Sequence, residues 1–99
     1  MADYTAPLRD MQFVINELAG LDAVGKLPGC EEVSPELVET VLEAAGRFAA
    51  DVLAPLNTVG DKTGARLQGD AVTTPPGFKD AYLRFVADGW NGLALDPAY

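Results

Sequence analysis

Ser34-Pro35-Glu36-Leu37-Val38-Glu39-Thr40-Val41-Leu42-Glu43-Ala44-Ala45-Gly46-Arg47-Phe48-Ala49-Ala50-Asp51-Val52-Leu53-Ala54-Pro55-Leu56 is the stretch that decides the fold. A serine oxygen accepts a hydrogen bond from an orphan backbone N–H at a helix start. Proline fits the first helical position, and glutamate favours the positive end of the helix dipole. Beyond that start, Leu37, Val38, Val41, Leu42, Ala45, Phe48, Ala49, Val52, Leu53 and Leu56 recur at three- and four-residue steps and make a broad apolar stripe. Glu36, Glu39, Glu43, Arg47 and Asp51 mostly face away from it. Pro55 has no N–H, and its ring crowds the carbonyl four residues back. It either ends the helix or kinks it, with a last turn running to about Gly60.

Upstream, Leu8, Met11, Val14, Ile15 and Leu18 share one helical face. Pro7 suits the first turn, Thr5 is placed as its cap and Gly20 as its stop. Leu21 to Val33 holds Gly25, Pro28 and Gly29 and reads as loop, with room for one helical turn at Asp22–Lys26. Downstream, Asp61 to Gly69 reads as a surface loop. Ala65–Gln68 and Ala71–Thr73, separated by Gly69-Asp70, make a candidate miniature hairpin. Pro75-Pro76-Gly77 then leads into Phe78, Ala81, Tyr82, Phe85 and Val86, which mark another helix ending near Gly89. The expected fold is all-α. Three main helices lie near residues 8–19, 35–57 and 77–88, and strand is confined to residues 65–73 at most.

Ninety-nine residues are one domain's worth of chain at most, and 48% hydrophobic residues argue against disorder. No run approaches the roughly 18 apolar residues that cross a bilayer. Met1-Ala2-Asp3-Tyr4 has no apolar leader, so a cytoplasmic location is expected. Fifteen acidic residues against seven scattered basic ones give a net charge of −8, which repels a phosphate backbone and sets nucleic acid aside as a partner.

The chemistry is sparse. The chain has no histidine and one serine, so serine–histidine and cysteine–histidine catalysis and the common zinc sites are missing from it. Cys30 is alone and stands beside Glu31 and Glu32, whose charge disfavours a thiolate. It reads as a small apolar plug. Gly60-Asp61-Lys62-Thr63-Gly64 has a superficial likeness to a phosphate-binding loop, but the full spacing and the preceding strand are missing, and a surface turn is the better account. Phe78, Tyr82, Phe85 and Trp90 are of the type that stacks a flat cofactor, yet at helical spacing they read as core. No residue is put forward as catalytic, cofactor-binding or metal-ligating.

Several segments together resemble a known family. Tyr4-Thr5-Ala6-Pro7-Leu8-Arg9-Asp10-Met11-Gln12-Phe13-Val14-Ile15-Asn16-Glu17-Leu18 is similar to the N-terminal extension of a subgroup of bacterial acyl-CoA dehydrogenases described as 3-(methylthio)propionyl-CoA dehydrogenase-like. Phe48 to Asn57 resembles the first helix of that family's N-terminal domain, proline included. Val59-Gly60-Asp61 and Thr74-Pro75-Pro76-Gly77-Phe78-Lys79 fit the same subgroup. Gly89-Trp90-Asn91-Gly92-Leu93 and Asp96-Pro97-Ala98-Tyr99 resemble the segment before the family's Gly-Gly turn.

The resemblance covers essentially the whole chain and is looser from Leu21 to Val33. It implies an extension over residues 1–33 and the start of the N-terminal helical domain over 34–99. It also implies a parent that uses FAD to oxidise the α–β bond of an acyl-CoA thioester to the enoyl-CoA, with electron-transfer flavoprotein as electron acceptor. The family's flavin contacts and its catalytic glutamate lie further along and have no matching position here. The chain stops at Tyr99 on an aromatic residue with no closing element, as expected of the front of a larger enzyme. On this reading the fragment is structural and binds no FAD itself, and its uncovered apolar stripe makes it a homo-oligomer. The rival reading is a stand-alone acidic helical interaction module without catalysis.

Overall fold

Helix covers most of the chain, and the chain divides into two compact units at the Asp51–Val52 bond. The computed structural model describes residues 4–96 and Ala98. The extended lead expected over residues 1–7 is seen from Tyr4 to Pro7, and the rest of it lies outside the described residues.

The first unit holds α1 (Leu8–Phe13), α2 (Leu21–Gly25) and α3 (Pro35–Phe48). Helix α1 begins one residue after Pro7, whose carbonyl accepts the first intrahelical bond, from Met11 N–H at 3.0 Å. Thr5 is therefore two residues ahead of the cap position, and no side chain caps this helix; the cap expected there does not form. From Val14 to Leu18 the backbone widens into a π turn, closed by Ala19 N–H on the Val14 carbonyl at 2.8 Å. A π turn advances by more residues than an α turn, so it moves later side chains off the α-helical stripe. Leu18, placed on the apolar face by its spacing, is 73% exposed.

Gly20, at φ 71°, ends that element and opens α2, the short helical turn for which the sequence left room. Helix α3 starts as its Ser-Pro-Glu sequence dictates: Ser34 is extended, and its Oγ accepts from the Leu37 N–H at 3.1 Å. Tyr4–Leu8 lies against α3 at Gly46, where an added Cβ would stand 3.4 Å from Ala6 Cβ and 3.5 Å from Leu8 Cδ2. Leu21 and Phe48 are the buried apolar residues of this unit.

A second π turn, Ala49–Leu53, follows α3 directly, and α4 (Ala54–Thr63) follows it. The proline does not stop the helix: residues 35–63 are helical without a break, with the widened turn just before Pro55 and Pro55 in the first turn of α4. Helix α4 then runs six residues past the expected end at 57 and three past Gly60. Asp61–Thr63, expected in a loop, is helical; Gly64, at φ 66°, ends it.

The second unit continues with the hairpin β1 (Arg66–Gln68) and β2 (Ala71–Thr73), antiparallel in the register Arg66↔Thr73, Leu67↔Val72, Gln68↔Ala71. Gly69 is at φ 65° and Asp70 is not at positive φ, the pattern of a two-residue hairpin turn with glycine first. All six strand residues are exposed, so the turn and the ladder hold this hairpin rather than a core. Helix α5 (Phe78–Ala87) opens at Gly77 and closes before Gly89, close to the expected 77–88. A single 3-10 turn, Trp90–Gly92, follows. Ala81 and Pro75 are buried here.

Replacing Ser34 by alanine removes the one side-chain cap of α3 and is expected to destabilise the first unit by about 1 kcal/mol. Chemical denaturation followed by helix ellipticity measures it. An unchanged midpoint would mean that the Ser34–Leu37 bond contributes nothing.

Candidate functional site

In the second unit the N-terminal end of α5 meets α4. Two glycines permit it. A Cβ at Gly60 would sit 2.8 Å from Phe78 Cζ, and one at Gly77 would sit 2.9 Å from Leu56 Cδ2. Both distances are shorter than atoms tolerate, so the ring of Phe78 occupies the space that a side chain at position 60 would fill. Gly77 carries a second requirement, φ 88°, which costs an L side chain about 1–2 kcal/mol. A glycine weakens a helix by about 1 kcal/mol relative to alanine; at Gly60 the ring of Phe78 packs where the missing side chain would be.

An open groove of about 810 Å³ lies there, its walls Leu53 from the π turn, Leu56 from α4, and Phe78, Ala81, Tyr82 and Phe85 from α5. Its polar side chains are Asn57, Asp61 and the Tyr82 hydroxyl, and no basic residue lines it. The four aromatics read as core from their spacing are thus not a closed core. Tyr82 is 64% exposed, Phe78 lies at the margin of exposure, and Phe85 and Trp90 are half-buried. The groove was not visible as such in the sequence, because helical spacing places residues on a face without saying which helices meet.

The glycine-flanked segment Gly60–Gly64 is not a loop. Its first four residues are the last turn of α4, and Gly64 N–H donates to the Gly60 carbonyl at 2.9 Å. This corrects the surface turn expected there and removes the likeness to a phosphate cradle. A smaller hollow of about 270 Å³ lies in the first unit, where Tyr4–Ala6 and Leu8 meet Glu43, Gly46, Arg47, Ala50 and Asp51. Glu43 and Asp51 flank Arg47 one helical turn away on either side, so an anion approaching the guanidinium would face both carboxylates.

Cys30 is half-buried in the turn after α2, its N–H donating to the Leu27 carbonyl at 3.0 Å. Beside it, Glu31 Oε1 accepts from the Gly29 N–H at 3.1 Å. Hydrogen bonds from its own backbone N–H and from that of Gly29 hold the Glu31 carboxyl below the ordinary carboxylate range. Among the described residues no three histidine, cysteine, aspartate or glutamate side chains are grouped to hold a metal ion, and no helix is long and apolar enough to cross a membrane.

No family model matches the chain. Among curated proteins it is 41% identical over 91 residues to a 3-methylmercaptopropionyl-CoA dehydrogenase from Ruegeria pomeroyi. The match takes in 92% of this chain but only 16% of the relative's length. The resemblance to the acyl-CoA dehydrogenase subgroup, drawn from individual segments, therefore holds over nearly the whole chain.

Glycine at 77 and at 89 gives a direct test of the α4–α5 packing. Both positions have nearly the same left-handed φ, 88° and 85°, but an added Cβ at Gly89 meets nothing within 4 Å. Gly77→Ala is expected to lower stability by more than the backbone cost of about 1–2 kcal/mol, and Gly89→Ala by that cost alone. Trp90, the single tryptophan, reports unfolding of this unit. Equal losses in the two variants would show that Leu56 does not press on Gly77.

Proposed function

We propose that this chain is the N-terminal helical part of an acyl-CoA dehydrogenase and that its role is scaffold. On this reading residues 1–33 form an extension and residues 34–99 begin the helical domain that walls the acyl-CoA site. The observation that carries the proposal is 41% identity over 92% of the chain to a dehydrogenase named for an acyl-CoA thioester, of which the chain spans about one-sixth. The parent would be a cytoplasmic homo-oligomer. It would oxidise the α–β bond of an acyl-CoA to the enoyl-CoA and hand the electrons to an electron-transfer flavoprotein. FAD, when bound to the parent, supplies the acceptor for hydride.

The residues of this chain do not fit that cofactor. The groove has no cation to meet a pyrophosphate, and Asn57 and Asp61 are the polar groups on α4 that line it. Asp61 would repel the phosphates. No chemical step is assigned to any residue here. What these residues supply is position: a helix started by Ser34 and carried past Pro55, and a second helix set against it by Gly60 and Gly77. The exposure of Leu53, Tyr82, Leu83 and Val86 supports a scaffold that presents an apolar face to more protein.

Titration of the 99-residue chain with FAD, followed by flavin fluorescence, is expected to show neither quenching nor a shifted spectrum, and addition of an acyl-CoA is expected to bleach no flavin. Micromolar binding with turnover would place the flavin site within these residues and contradict the scaffold role.

A further inference from the structure

We infer that Asn91 is a site of spontaneous covalent modification: the backbone nitrogen of Gly92 closes its side-chain amide to a succinimide, which water opens to aspartate and isoaspartate. The inference does not depend on the function proposed above. The chain has three asparagines, Asn16, Asn57 and Asn91. Asn16 stands inside the π turn Val14–Leu18 and is followed by Glu17. Asn57 stands inside α4 and is followed by Thr58. Asn91 is exposed in the single 3-10 turn Trp90–Gly92 and is followed by glycine.

Ring closure requires the next residue's nitrogen to reach the side-chain carbonyl carbon. A continuous helix holds the backbone away from that rotation, and a side chain on the attacking residue crowds it. Thr58 is β-branched and stiff. Gly92 has no Cβ, and one placed there would meet nothing within 4 Å, so neither a side chain of its own nor a neighbour closes off the approach. The attacking nitrogen is held by one bond, from Gly92 N–H to the Gly89 carbonyl at 3.1 Å. A 3-10 bond has poorer geometry than an α-helical one, and a lone turn opens at little cost. Leu93 and Leu95, just beyond it, are 65% and 67% exposed, so opening this turn pulls neither side chain out of a core.

The chemistry balances with water as the one reactant. A solvent base takes the Gly92 N–H proton, and the nitrogen forms a bond to the side-chain carbonyl carbon of Asn91. The bond from that carbon to the amide nitrogen breaks, and the nitrogen leaves with a proton as ammonia. Water then adds to one of the two imide carbonyls. Opening at the side-chain carbonyl gives aspartate in an ordinary backbone. Opening at the backbone carbonyl routes the chain through the former side chain as isoaspartate. Either product adds one negative charge to a chain already at −8. Isoaspartate also puts an extra methylene into the backbone of the turn, so the Gly92–Gly89 bond does not re-form in its present geometry.

The full chain, incubated for weeks at neutral pH and digested with trypsin, tests this. Cleavage after lysine and arginine puts each asparagine in its own peptide, residues 10–26, 48–62 and 85–99. Expected in the peptide of residues 85–99 is the mass gain of an amide turned into an acid, placed at Asn91 by fragmentation and split into two chromatographic forms. The peptides of Asn16 and Asn57 keep their amides. Asp88-Gly89, in the same peptide, closes the same ring by losing water and regains it on opening, so it contributes no mass gain. Gly92→Ala puts its Cβ into open space at a residue whose φ is not positive, so it keeps the ellipticity of the chain and slows the conversion. Retention of the Asn91 amide, equal conversion of the three asparagines, aspartate without isoaspartate, or Gly92→Ala converting at the parent rate would each overturn the inference.

Discussion

The second half of this molecule depends on two absent side chains. Gly60 leaves room for the ring of Phe78, and Gly77 leaves room for Leu56 while adopting a backbone conformation that L residues resist. Through these two contacts the start of α5 meets α4; Ala81 is buried, and Leu53, Leu56, Tyr82 and Phe85 line the groove. The contact is local and small. Among the described residues Leu21, Phe48 and Ala81 are the buried hydrophobic ones, whereas sixteen large apolar side chains are exposed. Burying a leucine or phenylalanine fully is worth about 1.5–3 kcal/mol, and ordering one residue's backbone costs about 1–2 kcal/mol. A chain with so few buried side chains gains little beyond its helices, so the apolar face is where further stabilisation is to be had.

Much of this was legible in the residues. Ser34-Pro35-Glu36 contains its own mechanism, and the cap it implies is present in the Ser34–Leu37 bond. Gly69-Asp70 between short β-prone runs specifies the hairpin and its register. The stop at Gly89 follows from the need for positive φ. Two features were not legible. The π turns at Val14–Leu18 and Ala49–Leu53 leave no periodic signature, because an apolar stripe drawn at 3.6 residues per turn continues smoothly through them on paper. The extension of α4 through Gly60 runs against local propensity, and Phe78, eighteen positions away in sequence, packs on that glycine.

The candidate site was missed as well. Phe78, Tyr82 and Phe85 recur at helical spacing, which reads as core, and spacing does not say which helix they face. The helical α4 supplies the wall, and the aromatics become the lining of an open groove. The spacing of Leu53, Leu56 and Gly60, three and four residues apart, held the signal, but a glycine at its end argued the other way. Function was legible only by resemblance. The chain lacks histidine and presents no grouped metal ligands among the described residues, and Cys30 and Glu31 stand in the turn after α2, where the Glu31 carboxylate accepts from Gly29. Segments matched to a dehydrogenase subgroup carried what the chemistry of the residues did not, and the identity to the Ruegeria enzyme spans 92% of the chain.

The central claim is that glycine at two positions sets α5 against α4 and so shapes the face this chain presents. Nuclear Overhauser spectroscopy of the 99-residue chain tests it most directly. The account predicts cross-peaks from the Phe78 ring protons to the Gly60 α-protons and from a Leu56 methyl to the Gly77 α-protons, because an added Cβ at these glycines would lie 2.8 Å from Phe78 Cζ and 2.9 Å from Leu56 Cδ2. Helical α4 and α5 with neither set of cross-peaks would mean that the two helices form independently, and the groove would have no basis.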